Sequence, residues 1–220
     1  MSLSSYQGEE IITSVVIKGG KKYTEKKYFP RSVFNDPQGK NAYIIGNGES
    51  RIGFDLYKLP QDTYGCNAVY RDYQPDFLVC VDRKMYQEIA ESGYGEKNIV
   101  YTNHLNMSRT GGVCHLIPHN PHKGTGTTAV HIALNDGHTN LFLLGFDNDE
   151  NKVNNNVYKN TNAYNDDQTV VHQTVWGKQI FDIMKARPEV KFTFVGGNQY
   201  LPEPLPNYFK ISYEQFNQTL

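Results

Sequence analysis

From Asn41 onward, short apolar runs bounded by Gly, Pro or Asn alternate with segments whose apolar residues recur at three- and four-residue intervals. The runs Ala42 to Ile45, Thr63 to Val69, Phe77 to Val81, Asn98 to Thr102, Asn140 to Leu144 and Val190 to Val195 predict β-strands. Between them, Arg83 to Glu91 and Thr127 to Leu134 predict helices. So does the series Val170, Val171, Val175, Trp176, Ile180, Phe181, Ile183 and Met184, which describes one apolar face opened by Asp166 and Asp167 and closed by Pro188. Strands that are apolar almost throughout need cover on both sides. The pattern therefore predicts an α/β fold: a doubly wound, mostly parallel, Rossmann-like sheet with helices on both faces.

The first forty residues follow another rule. The β-branched run Ile11 to Ile17, the turn Lys18-Gly19-Gly20-Lys21 and the alternating aromatic and charged residues of Tyr23 to Phe29 predict a β-hairpin that Pro30 stops. The expected organisation is an appendage over 1–40 and a single domain over 41–220. The Asn- and Asp-rich stretch 147–167 is too long for an ordinary connection and is expected to act as a lid. The tail from Leu201 has three prolines before the amphipathic end Ser212 to Phe216, and Tyr200 to Phe209 is expected to wrap over the sheet, with a subunit contact as the alternative.

Composition narrows the class. With 22 Lys and Arg against 23 Asp and Glu, the net charge of -1 supplies no overall field for nucleic acid or anionic lipid, so no nucleic-acid partner is expected. No apolar run approaches the roughly 20 residues that cross a bilayer, and Met1 to Glu10 lacks a basic segment followed by an apolar one, so a cytoplasmic protein is expected. Cys66, Cys80 and Cys114 fit neither a disulfide framework nor a metal knuckle and are read as buried thiols. Sixteen tyrosines predict half-buried surfaces whose hydroxyls bond something. Oligomeric state is left open, and the compact size suits a bacterial or phage-encoded enzyme.

In an open parallel sheet ligands bind beyond the carboxyl ends of the strands, so the residues just after each strand carry the candidate chemistry. After the first strand stands Gly46-Asn47-Gly48-Glu49-Ser50, whose glycines would let backbone N–H groups approach a phosphate while Ser50 adds a hydroxyl. It lacks the third glycine of the dinucleotide fingerprint and the Lys-Ser/Thr of a P-loop. Asn67, Asp82 and Asp147 follow later strands, and the Gly/Thr loop Thr125-Gly126-Thr127 opens a helix where an anion or sugar could sit. His172 falls in the first turn of its predicted helix, where the dipole disfavours the imidazolium and keeps a neutral ring suited to general-base work. His115, His119 and His122 form a competing cluster for which no metal site is predicted.

Taken together, Tyr43-Ile-Ile-Gly-Asn-Gly-Glu-Ser50, Gly65-Cys-Asn67, Ala129-Val-His-Ile-Ala-Leu134 and Leu143-Leu-Gly-Phe-Asp147 resemble the bacterial sialyltransferases of glycosyltransferase family 42. They are also similar to the wider group that shares the G-x-G-x-S opening and includes pterin-pyrophosphokinase-like proteins. The resemblance spans roughly residues 41 to 196. It implies that Asn47, Ser50 and Asn67 hold a cytidine monophosphate moiety, that Tyr158 and Tyr164 in a mobile lid touch the leaving phosphate, and that His172 takes the acceptor's proton. Glu49 stands where that family has Pro, and Asp82 where it has Asn. The implied activity is metal-independent, inverting transfer of a sugar from a nucleotide-activated donor to an acceptor hydroxyl, with no cofactor. Two alternatives are a Mg-dependent pyrophosphokinase using Asp82, Asp147 and Asp149, and a non-catalytic nucleotide- or partner-binding module.

Overall fold

A computed structural model describes residues 3–35, 41–60, 62–147, 155–164, 173–197, 199 and 201–220, with backbone alone for 3–18, 22–35 and 173–174. Its main sheet has eight strands, all parallel: β3 (Asn41–Ile45), β4 (Thr63–Cys66), β5 (Phe77–Val79), β6 (Ile99–Thr102), β7 (His115–Leu116), β8 (Asn140–Leu144), β9 (Lys191–Val195) and β10 (Tyr208–Ile211). The spatial order is β10-β9-β8-β3-β4-β5-β6-β7. The chain thus winds outward from β3 to β7, returns, and winds the other way from β8 to β10. The winding reverses between β3 and β8, which is where an open α/β sheet leaves a crevice.

Helices cover both faces, and period-2 alternation explains how strands that read as continuous apolar runs serve two cores. Ala42, Ile44, Phe77, Val79, Leu141, Leu143, Phe192 and Phe194 pack with α3 (Thr125–Asn135) and α4 (Gln173–Ala186). On the other face, Leu78 and Val100 pack with α1 (Arg83–Glu91) and α2 (His104–Thr110), while Tyr43, Ile45, Phe142, Leu144 and Val195 receive Phe216 of α5 (Tyr213–Asn217). Tyr43 and Phe142 stack at 5.4 Å between ring centroids, and Phe216 closes on both. A capping box between Ser212 and Gln215 starts α5. The three cysteines are free and buried. No helix among the described residues is long and apolar enough to cross a membrane.

Several elements differ from expectation. The second strand ends earlier, at Cys66, because Asn67 takes a left-handed backbone (φ 53°) and opens a 3-10 turn over Asn67–Arg71, and the third ends at Val79. Tyr208–Ile211 joins the edge of the sheet as β10 beside β9 rather than wrapping over it, while Phe216 further along the tail does cover the sheet face. Separately, β1 (Leu3–Lys18) and β2 (Lys21–Asn35) form an antiparallel ribbon joined by Gly19 and Gly20, both at positive φ as a two-residue hairpin turn requires. Pro30 does not stop it. In a two-stranded ribbon each strand is an edge, so a residue without N–H is tolerated, and Pro30 pairs with Glu9 beside a register shift.

Candidate functional site

The turns after β3 and β8 are zipped together. The Gly46 N–H donates to Leu144 O and the Gly48 N–H to Gly145 O, each at 2.8 Å. A Cβ at position 46 would stand 2.5 Å from Gly145 O, so glycine is required there by the closeness of two backbones. Two more N–H groups of the turn are also taken: Ser50 N donates to Asp147 Oδ2 at 2.7 Å and Glu49 N to Asn155 Oδ1 at 2.7 Å. This corrects the expectation of a phosphate cradle at Gly46, Gly48 and Ser50, since a carboxylate of the protein already fills the anion position. Asp147 Oδ1 and Asn47 Oδ1 are buried there without a partner.

A second group lies at the ends of β4 and β5, one and two strands from β3. Asn67 Nδ2 donates to Asp82 Oδ2 at 2.8 Å, and Thr125 Oγ1 lies 3.0 Å from Asn67 Oδ1 and 3.3 Å from Asp82 Oδ2. Three residues from the ends of β4 and β5 and the start of α3 are thereby gathered at one point. The left-handed backbone of Asn67 aims its amide at this point, a conformation asparagine tolerates better than most residues. Gly124 caps α3 without any side-chain bond, and the first-turn N–H groups of Thr125, Gly126 and Thr127 face the same edge of the sheet. This helix end, not the β3 turn, supplies the open backbone donors.

Residues 155–164, the described part of the expected lid, are docked over the carboxyl ends of β3 and β4. Val157 N donates to Asn47 O at 2.8 Å, Lys159 pairs with Glu49 at 2.6 Å, and Arg71 joins Glu88, Thr161 and the Asn162 carbonyl. Asn47 Nδ2 donates to the Tyr164 hydroxyl at 3.0 Å. Burial, then the nearby Asp82, pushes the Tyr164 hydroxyl well above its ordinary pKa, keeping it a neutral donor. Tyr158 departs from its expected role. It is buried, its hydroxyl accepts from Arg51 at 2.7 Å and donates to Asp72, and the Arg51 guanidinium lies 5.4 Å from its ring. That hydroxyl is committed to anchoring the segment and does not face the crevice.

No family model, curated protein or solved structure matches the chain. The site therefore rests on its own geometry. Asn47, Asn67, Asp82, Thr125 and Tyr164 converge; Asp147 and Ser50 belong to the zipped turns. His172, the caps Asp166 and Asp167, and Asp149 lie outside the described residues. Asp82 and Asp147 follow β5 and β8, which are not neighbours but three strand spacings apart, about 14 Å along the sheet. Each aspartate is held in a group of its own, Asp147 by Ser50 N and Asp82 by Asn67 Nδ2. Among the described residues no group of three or more His, Cys, Asp or Glu is placed to hold a metal, and His119 engages His131 through its carbonyl.

Sequence reasoning missed Arg51. It is 5 % exposed, and its Nε donates to Gly46 O at 3.0 Å while Nη2 reaches Tyr158, so it links the first turn to the docked segment. The only signal was its place four residues beyond Asn47. Gln179 was also missed: its Oε1 accepts from Gly124 N and Thr127 Oγ1, both at 3.1 Å, holding α4 against the start of α3.

Proposed function

We propose that this chain is a metal-independent glycosyltransferase that moves a sugar from a nucleotide-activated donor to an acceptor hydroxyl. The observation that carries the reading is the convergence of Asn67, Asp82 and Thr125 beside the uncapped start of α3, with Asn47 and Tyr164 closing the crevice from the β3 side. Amide, carboxylate and hydroxyl groups in one cleft suit the edges of a base and the hydroxyls of a ribose. The backbone donors of Thr125, Gly126 and Thr127 suit the phosphate that must leave with the nucleotide, and donors fixed before reaction stabilise the charge that develops on it. Tyr164, neutral and half-buried, adds a hydroxyl donor from the opposite side. His172, four residues before Trp176, would receive the acceptor's proton as the base of a single, inverting displacement.

The test begins with thermal shift of the purified chain against nucleoside mono- and diphosphates, with and without Mg²⁺. A ligand at about 100 times its dissociation constant adds about 2.7 kcal/mol to stability. A shift that needs no metal and is lost in Asn67→Ala and Thr125→Ala supports the reading. A shift seen only with ATP and Mg²⁺ moves it to phosphoryl transfer, and no shift removes the nucleotide premise. Binding that survives His172→Ala while donor turnover disappears separates an enzyme from a silent binding module.

A further inference from the structure

The only tryptophan of the chain, Trp176, is an exposed aromatic placed against the candidate crevice. It stands near the start of α4 with 54 % of its surface open, although a residue of its size is normally well covered. The indole lies across the start of α3: a Cβ on Gly124 would stand 3.3 Å from both Cδ1 and Nε1. Glycine at that position lets the ring reach the backbone one residue before Thr125, whose hydroxyl is in the Asn67–Asp82 group. Three residues on, Gln179 spends its Oε1 on Gly124 N and Thr127 Oγ1, which directs its Nε2 donors away from that loop and leaves them without a protein partner among the described residues. The exposed Lys123 directly precedes Gly124 in the chain.

We infer that Trp176 is the floor of the acceptor subsite, and that it takes a pyranose ring. The inference rests on the proposed glycosyl transfer. The converging groups of β4, β5 and α3 have the polar chemistry of a nucleoside site, and the second substrate must then approach from the open side of α3, where Trp176 lies. A flat apolar ring beside an amide side chain is matched by a sugar, whose C–H face is apolar and whose rim is hydroxyl. The fixed position of the indole on Gly124 costs little ordering on binding.

Because this tryptophan is single, its fluorescence reports the subsite directly and without turnover. The full-length chain is titrated with a panel of hexoses and hexose disaccharides, alone and with CMP or UDP present, while nucleotide affinity is followed separately by thermal shift. A saturable change in Trp176 emission with a saccharide is expected. Trp176→Ala should weaken saccharide binding by roughly ten-fold, read by calorimetry, with nucleotide affinity unchanged. Trp176→Phe, which keeps an aromatic face, should restore most of it. An emission change produced by nucleotide and not by any saccharide would overturn the inference by giving the platform to the base, and no change with saccharides in either condition would overturn it as well. A saccharide response without any nucleotide binding would instead retain the subsite and remove the donor half of the proposed function.

Discussion

Tyr158→Phe separates two roles for one hydroxyl. In the fold that hydroxyl accepts from Arg51 Nη2 at 2.7 Å and donates to Asp72, inside a cluster with Leu78, Met107 and Leu116. The substitution keeps the ring and leaves no appreciable cavity, but it deprives a guanidinium that is 5 % exposed of one acceptor. A hydrogen bond to a charged partner contributes roughly 1.5–3 kcal/mol. Asp72 is 48 % exposed, so solvent screens its share and little is added for it. The expected destabilisation is therefore about 2 kcal/mol, or about 4–8 °C in Tm for a chain of this length. The assay is thermal and urea unfolding of wild type and variant in one buffer, alongside nucleotide affinity. Anchoring predicts a lower Tm and a weaker grip on residues 155–164, read as faster proteolysis within that segment. A Tm within about 1 °C of wild type, with turnover lost and affinity kept, would refute the anchoring and return Tyr158 to the leaving phosphate.

Two further outcomes follow from local geometry. Gly46→Ala should cost about 3 kcal/mol in urea unfolding, since the new methyl meets the Gly145 carbonyl at 2.5 Å and backbone cannot move aside cheaply. A cost below about 1 kcal/mol would show that the two turns are not zipped. Burial holds the imidazole of His115 below its ordinary pKa, and its Nδ1 is buried without a partner. The unfolded chain then binds the proton more readily, so this contribution to stability is complete above about pH 6.5 and is lost as pH falls below it. The urea midpoint should decline over that acid range, and His115→Gln should flatten the decline; an unchanged slope would refute the assignment.

The sheet was legible because strand periodicity and burial agree. Ala42 to Ile45 and Asn140 to Leu144 are apolar on both sides of the pleat, and both cores claim them. What failed was local. Asn67 reads as the middle of an apolar run, yet its side chain has distant partners that favour a left-handed backbone, so the strand ends at Cys66. His115–Leu116 is too short to show a period, and only pairing with β6 makes it a strand. At the site, the post-strand positions could be found because topology alone selects them, whereas the state of each group could not. Whether the Ser50 N–H faces a phosphate or Asp147 depends on a turn 97 residues away. Tyr158 and Tyr164 likewise look equivalent along the chain, and only the position of Arg51 separates them.

That occupied turn bears on where a phosphate can bind, and Asp147→Asn tests it. The carboxylate accepts from Ser50 N at 2.7 Å, so a phosphate at the β3 turn would share its donors with a like charge at close range. At about 4 Å and an effective dielectric near 20 that repulsion is about 4 kcal/mol, and neutralising Asp147 would then raise nucleotide affinity by about three orders of magnitude. At the start of α3, which adjoins the Asn67 and Asp82 group at the end of β4, the charge lies about two strand spacings away, near 10 Å. Water-like screening there leaves about 0.4 kcal/mol, less than about a two-fold change in affinity. The amide of the variant still accepts from Ser50 N, so the fold of the turn is kept. Near-constant affinity, measured by calorimetry at moderate salt, is the outcome expected of the α3 site. A rise of about ten-fold or more would put the phosphate at the first turn and overturn the assignment to α3.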